Sequence, residues 1–196
     1  MDVLEAICGR RSIRRYTENR VPFDQLVDLV RAGTWAPTAG NVQSWRFVIV
    51  DDSKILRQLK AASPGMLGTP TAAIAICQDK DIAFDRGSVL GRDVGSVMDA
   101  AMAAQNIMLA AHASELGTCA ILSFHAGSVR RFLDLPENVQ PELLITIGVP
   151  AINPPPPKRV EAGVIFHNSL QSGVNALERQ QSATQNCTPT GGASHG

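Results

Sequence analysis

Hydrophobic positions along the chain alternate between helical spacing and short apolar runs. Helical spacing predicts two helices near the start of the chain, at residues 2–9 and 24–32. Apolar runs rich in β-branched or aromatic residues predict buried strands at residues 45–50, 71–77, 119–122 and 143–147. Two more short helices are expected at residues 53–62, with Ser53 as the cap, and 129–135. Residues 79–92 are polar and fit neither pattern.

Residues 93–116 are apolar on almost every side of the predicted helix. A helix of this kind is buried, and polar side chains recur too often along it for a membrane span. Its many alanines allow another helix to approach closely. So much apolar surface in a small chain favours a partner as well as a core, which predicts the central helix of a dimer. The alternative is an ordinary internal helix of a monomer.

Composition and charge exclude several classes of function. With 196 residues, 44% hydrophobic and 18% charged, the chain fits one folded domain. The 18 basic and 18 acidic residues give a net charge of zero, which argues against binding to nucleic acid or to an anionic membrane. Residues 1–5 lack the basic start and apolar core of a signal peptide, so a cytoplasmic location is expected. The cysteines and histidines lack metal-ligand spacing, and no metal site is predicted.

The strongest local charge lies in a basic segment after the first helix. Arg10, Arg11, Ser12 and Arg14 place several guanidinium groups and a hydroxyl within five residues. Guanidinium groups match the oxygens of phosphate, so the segment is a candidate clamp for a phosphomonoester. The alternative is a solvated basic turn.

A second candidate region is the loop before the first predicted strand. Pro37 and Gly40 favour an irregular path, and the side chains of Asn41 and Gln43 offer both amide donors and carbonyl acceptors, which suit the polar edge of a ring system. Asn41 could instead cap a turn. The aromatic residues nearby are expected to pack in the core: Trp35, Trp45 and Phe47.

Four segments in the same order resemble the nitroreductase family of flavin mononucleotide (FMN) enzymes. The first is the R-R-S-x-R segment at residues 10–14, and the second is the A-P-T-A-G-N-V-Q-S-W loop at residues 36–45. The third is G-T-C-A-I-L-S-F-H at residues 117–125, and the fourth is I-G-V-P at residues 147–150, followed by a proline run and Lys158-Arg159. The chain departs from the family pattern at Thr38 (serine), Ser44 (proline), Leu122 (glycine) and His125 (aspartate).

This resemblance implies an α+β fold with a nitroreductase-like mixed central β-sheet flanked by helices, in a homodimer with exchanged C-terminal segments. Residues 1–168 would form the FMN-binding domain, with residues 164–166 adding an edge strand to the partner's sheet, and residues 169–196 a largely disordered extension. The implied FMN-binding residues are Arg10, Arg11, Ser12, Arg14, Pro37, Thr38, Ala39, Asn41, Gln43, Ile121, Leu122, Ser123, Lys158 and Arg159. The loop residues would act on the flavin of the partner subunit, and Arg159 is favoured over Lys158 as the final phosphate ligand.

The implied function is an FMN-dependent oxidoreductase that uses NADH or NADPH. Reductant and a small acceptor such as a nitroaromatic or a quinone would alternate at one site, by a ping-pong mechanism, without a catalytic residue from the protein. The short region at residues 79–92 suggests an open site. Alternatives are a flavin destructase or dehalogenase of the same fold, an FMN storage or sensing module, and a phosphate- or RNA-binding domain.

Overall fold

A computed structural model of the protein describes residues 1–159. Residues 10–154 form one compact unit, and residues 1–9 and 155–159 belong to a second. The predicted boundary at residue 168 and the predicted edge strand at residues 164–166 lie outside the described residues.

Four strands and six α-helices make up the regular structure of the described chain. The strands are β1 (Trp45–Val50), β2 (Ala72–Asp79), β3 (Gly117–Ile121) and β4 (Val139–Gly148). The helices are α1 (Val3–Gly9), α2 (Phe23–Thr34), α3 (Ser53–Ala61), α4 (Lys80–Leu90), α5 (Ser96–Ala113) and α6 (Ala126–Phe132). A short π-helical segment, Gly91–Gly95, joins α4 to α5.

The four strands form one sheet in the order β1-β2-β4-β3, with every neighbouring pair antiparallel. β1 and β3 are therefore the outer strands. Within the described residues, a parallel pairing occurs at the isolated bridge between Ser12 and Thr118, on the outer side of β3. β2 is buried along its whole length, which its continuous apolar run predicts.

Helices cover both faces of the sheet. One buried cluster joins α2 and α5 to the sheet through residues such as Leu26, Ile107 and Ile145. The opposite cluster joins α3 and α6 to the other face through Leu59, Val129 and Leu144. Because neighbouring residues of a strand point to opposite faces, Leu144 and Ile145 serve different clusters.

The predicted strands are confirmed, although β4 begins four residues earlier than the pattern indicates. Most of the polar region at residues 79–92 forms the helix α4, whose start is capped by the Asp79 side chain accepting from the Ile82 N–H. The predicted helix at 93–116 is shorter, because its first residues lie in the π-helical segment.

Two detailed expectations were wrong. Trp35 does not pack in the core but is 86% exposed, whereas Trp45 is buried. The cap of α3 is Asp52 and not Ser53, since the Asp52 side chain accepts from the backbone N–H groups of Lys54 and Ile55. A carboxylate in this position satisfies two of the donors that a helix start leaves unpaired.

α5 is buried on one side and not all round. Its buried side includes Ala103, Ala104 and Ile107, while Val97 and Met98 are exposed, Met98 by 58%. No helix within residues 1–159 combines the length and the apolar content that crossing a membrane requires.

Candidate functional site

The arginine segment lies along the outer edge of β3. Ile13 donates its backbone N–H to the Thr118 carbonyl oxygen at 2.8 Å, and its side chain is buried. A Cβ on Gly117 would lie 2.8 Å from the Ile13 side chain, so the segment approaches this closely only because residue 117 is glycine. The polar residues on either side of Ile13 are thereby held at the sheet edge by backbone pairing and by one apolar side chain.

Tyr16 fixes the far end of the same segment. Its hydroxyl donates to the Ile13 carbonyl oxygen at 2.6 Å and shares a 2.8 Å hydrogen bond with Thr146 of β4. Burial raises the pKa of Tyr16, and the Thr146 hydrogen bond opposes that shift only in part. The phenol therefore stays neutral and acts as a structural donor.

The segment carries concentrated positive charge. Arg10, Arg11 and Ser12 are partly buried, and Arg14 is exposed with its Nη1 3.5 Å from the Ser12 carbonyl oxygen. The pKa of His112, at the end of α5, is lowered first by burial and then by the charges of Arg10 and Arg11. The positive charges of Arg10 and Arg11 therefore disfavour protonation of His112.

The end of β3 comes next to this segment through the loop at residues 62–68, which the sequence analysis did not assign to the site. Gly65 donates its N–H to the Ser123 carbonyl oxygen at 3.4 Å. Gly68 has φ +73°, and a Cβ there would lie 2.1 Å from the Arg14 carbonyl oxygen. The loop therefore touches both the arginine segment and Ser123. Ile121 is buried, while Leu122 is 74% exposed.

His125, one of the departures from the family pattern, caps α6. Its Nδ1 accepts from the Ser128 N–H at 3.1 Å, the contact that an aspartate in this position could also make. The cap explains why α6 begins at Ala126, earlier than the hydrophobic pattern predicts.

The loop before β1 follows an unusual backbone path. Gly40, Asn41 and Gln43 all have positive φ, at 60°, 54° and 51°. Left-handed backbone costs a non-glycine residue about 1–2 kcal/mol, less for asparagine. Within the loop, Gln43 donates its N–H to Thr38 Oγ1 at 3.3 Å and its side-chain amide to Asn41 Oδ1 at 2.8 Å. Both side chains predicted to face a ring are therefore held toward one another.

Buried polar groups hold the loop at both ends. Ala39 donates its N–H to Asp99 Oδ1 of α5 at 3.1 Å. The Ser44 hydroxyl donates to Gln78 Oε1 at 2.7 Å, and Gln78 Nε2 donates to the Ser96 carbonyl oxygen at 2.6 Å. Burial raises the pKa of Asp99, and the Ala39 N–H opposes that shift.

A cavity of about 380 Å³ lies beside this loop. Its walls come from the loop, from α4, from the π-helical segment and from the start of α5. Most of the lining is apolar or glycine, including Val42, Leu90, Val94 and Met98. Its volume and lining are those of a small-molecule site.

The predicted site residues fall into two groups at opposite edges of the sheet. The structure brings the arginine segment together with residues 121–123 at the β3 edge. It places residues 37–43 before β1, at the other edge. Lys158 and Arg159 are exposed in the second unit, and their role stays a prediction.

Sequence reasoning missed the residues that support the site from within the fold. Asp99 is an acidic residue in a helix of alanine and methionine, and Gln78 ends an apolar strand. A polar residue at a buried position needs a partner, and this was the available signal. The partner could not be named, because Ala39 lies 60 residues from Asp99 along the chain.

Comparisons with known proteins agree with the segments quoted above. The model of the Nitroreductase family matches residues 7–81 and 65–149. A protein of Methanothermobacter thermautotrophicus, whose name includes NADH dehydrogenase/NAD(P)H nitroreductase, is 34% identical over 160 residues, 79% of this chain and 80% of that protein. The oxygen-insensitive NADPH nitroreductase of Salmonella typhimurium is 27% identical, covering 85% of this chain and 73% of that one.

Solved structures give the same result for the fold. The FMN-dependent nitroreductase of Clostridium difficile R20291 superposes with a TM-score of 0.72 at 25% identity, covering 85% of this chain and 99% of that chain. The helices and the antiparallel sheet described above are therefore those of a known fold.

Proposed function

Since the chain belongs to the nitroreductase family, we propose that it is an FMN-dependent oxidoreductase that reduces a small nitroaromatic, quinone or similar acceptor. Family membership and the names of its relatives support an NAD(P)H-dependent flavin oxidoreductase, with NADH or NADPH as the reductant. When bound, FMN accepts hydride from the nicotinamide and passes electrons to the acceptor.

The arginine segment carries this proposal. Arg10, Arg11, Arg14 and the Ser12 hydroxyl supply the donors that a phosphomonoester requires. The residues present therefore fit the phosphate of FMN. Backbone pairing at Ile13 uses main-chain atoms only, and the Arg14 side chain next to it is exposed.

The remaining predicted contacts would complete the site around the flavin ring. Residues 121–123 leave the sheet beside the arginine segment, and the exposed Leu122 offers an apolar surface. We propose Pro37, Thr38, Ala39, Asn41 and Gln43 for the ring, and Arg159 or Lys158 for the phosphate. The cavity beside the loop would admit reductant and acceptor in turn, which gives ping-pong kinetics.

A second copy of the chain would bring the two groups of residues together. One chain places them at opposite edges of its sheet, and α5 exposes the apolar residues Val97 and Met98 near the loop. We propose a homodimer in which the loop of one subunit meets the arginine segment of the other.

The assembly is tested by light scattering. The wild-type protein is expected at twice the mass of one 20.9 kDa chain. Met98→Lys should give the monomer mass, because the substitution places a charge among the exposed apolar residues of α5. Ala61→Lys, at the exposed end of α3, is the control and should leave the dimer intact. A wild-type mass of one chain would refute the dimer.

The activity is tested by absorbance. The purified protein should be yellow, lose its colour with NADH or NADPH, and regain it when a nitroaromatic or quinone is added. With both substrates varied, parallel double-reciprocal plots are expected, and intersecting plots would contradict the alternating site. Colour that persists with both nucleotides would instead favour FMN storage, and failure to bind added FMN would overturn the proposal.

A further inference from the structure

The loop at residues 38–44 combines an unfavourable backbone with fixed ends. Three of its residues have positive φ, and two of them, Asn41 and Gln43, are not glycine. Such a backbone persists only where surrounding contacts determine it, and strain of this kind concentrates at functional sites. Besides the hydrogen bonds within the loop, contacts from outside it fix both of its ends.

Asp99 holds the beginning of the loop. Asp99 is buried, and its Oδ1 accepts the Ala39 N–H at 3.1 Å. Ala39 directly precedes Gly40, the first residue of the loop with positive φ. A carboxylate removed from water requires such a donor, and within residues 1–159 the Asp99 carboxylate accepts no other hydrogen bond. The bond therefore ties Ala39 to the first turn of α5.

Gln78 holds the end of the loop. The residue is fully buried at the end of β2, and it accepts from the Ser44 hydroxyl while donating to Ser96, the first residue of α5. Ser44 stands where the family pattern in this loop has proline, which has no hydroxyl to donate. Ser96 is itself fixed, since its hydroxyl lies 3.1 Å from Lys80 Nζ.

Both ends of the loop are thus fastened to the first turns of one helix. We infer that Asp99 and Gln78 are positioning residues, which hold residues 38–44 in the conformation that meets the flavin. This inference rests on the proposed FMN site. Removing either anchor should relax the loop and weaken FMN binding without removing a group that touches the cofactor.

The test uses the full-length apo protein, with two readouts. The first is the FMN dissociation constant, measured by quenching of flavin fluorescence. The second is hydrogen exchange of the backbone amides of residues 39–43, measured without FMN. Circular dichroism verifies that each variant is folded.

Asp99→Ala should raise the FMN dissociation constant about tenfold, the change that about 1.4 kcal/mol produces. It should also speed exchange at Ala39. Asp99→Asn should retain both wild-type values to within about threefold, because its side-chain oxygen can still accept the Ala39 N–H. Ser44→Ala should change both quantities in the same direction as Asp99→Ala, and by less. Asp85→Ala, an exposed carboxylate of α4, is the matched control and should change neither.

A folded Asp99→Ala protein with wild-type affinity and wild-type exchange would overturn the inference. If that variant does not fold, Asp99→Asn and Ser44→Ala decide: a Ser44→Ala protein identical to wild type in both readouts would also overturn it. A wild-type protein that does not bind FMN would refute the proposed function and the flavin role of the anchors. In that case, faster hydrogen exchange at Ala39 in Asp99→Ala would show that Asp99 still anchors the loop. The proposed function would then fail while the anchoring itself held.

Discussion

The arginine segment and the loop before β1 are held in place by different means. Backbone pairing with Thr118 and the buried side chain of Ile13 hold the segment at the edge of the sheet. Buried polar side chains hold the loop, and its backbone is left-handed at several residues. Under the proposed function, the segment would bind the phosphate through long side chains, and the loop would contact the flavin ring through a backbone of fixed shape.

This difference predicts that the position of the segment depends most on its buried apolar residue, Ile13. Ile13→Ala should lower the free energy of unfolding by about 2–5 kcal/mol, since it leaves a cavity against Gly117, and Ile13→Val by about 0.5–1.5 kcal/mol. Urea unfolding measures both. Equal, small effects of the two substitutions would show that the side chain does not hold the segment.

Removing a polar side chain from the segment should affect binding and not stability. Arg14→Ala should weaken FMN affinity by about 1.5–3 kcal/mol, the value of a hydrogen bond to a charged group. Its free energy of unfolding should stay near that of wild type, because Arg14 is exposed. Arg31→Ala, which removes an exposed ion pair with Asp28 on α2, is the control for binding. Unchanged FMN affinity in Arg14→Ala would remove this residue from the proposed site.

The stability of the protein should fall when a loop residue that favours positive φ is replaced by one that does not. Gly40 has φ +60°, and an added Cβ would meet only Val42, at an ordinary 3.8 Å. Gly40→Ala should therefore lower the free energy of unfolding by about 1 kcal/mol through conformation and not through a clash. Gly127→Ala, within α6, should raise it by about 0.5–1 kcal/mol. Thermal and urea unfolding measure both variants. If both are more stable than wild type, or both less stable, the loop is not strained.

The smallest effect concerns the pH dependence of stability that the loop anchor Asp99 introduces. Burial raises the pKa of Asp99 above its ordinary 3.8, so the folded protein binds a proton more tightly there than the unfolded chain. Its contribution to stability is full below the unfolded pKa and falls as the pH rises through the raised value. Asp99→Asn does not lose stability in this way, because asparagine does not ionise. The stability of the variant relative to wild type should therefore increase from about pH 4 upward, and a flat or decreasing difference in urea unfolding would contradict the shift.

The sequence predicted the parts of the molecule in which local pattern and environment agree. β1 and β2 are apolar runs in a buried sheet, and the arginine segment is a contiguous group whose chemistry is visible without a fold. α4 was not predicted, because its polar surface hides the helical period and its cap, Asp79, belongs to the preceding strand. Trp35 was misplaced because an aromatic residue is normally buried, and here it lies exposed after α2.

The sequence indicated candidate ligand-binding residues, whose role stays a prediction, and did not indicate the residues that support them. Arg14, Asn41 and Ser123 belong to motifs that can be read directly. Contacts between distant residues, such as Ala39 with Asp99 or Gly68 with Arg14, follow from the packing of α5 and of the loop at residues 62–68. These contacts depend on tertiary structure, which hydrophobic periodicity does not describe.

Mixed dimers test most directly the claim that two chains form one flavin site. Arg14→Ala damages the segment, and Asn41→Gly removes a loop side chain while keeping the left-handed backbone accessible. A dimer of one Arg14→Ala chain and one Asn41→Gly chain should contain one intact site and one doubly altered site. Titration should then find one FMN bound per mixed dimer with wild-type affinity. A mixed dimer with only weakened sites would place segment and loop in the same chain's site and contradict the account.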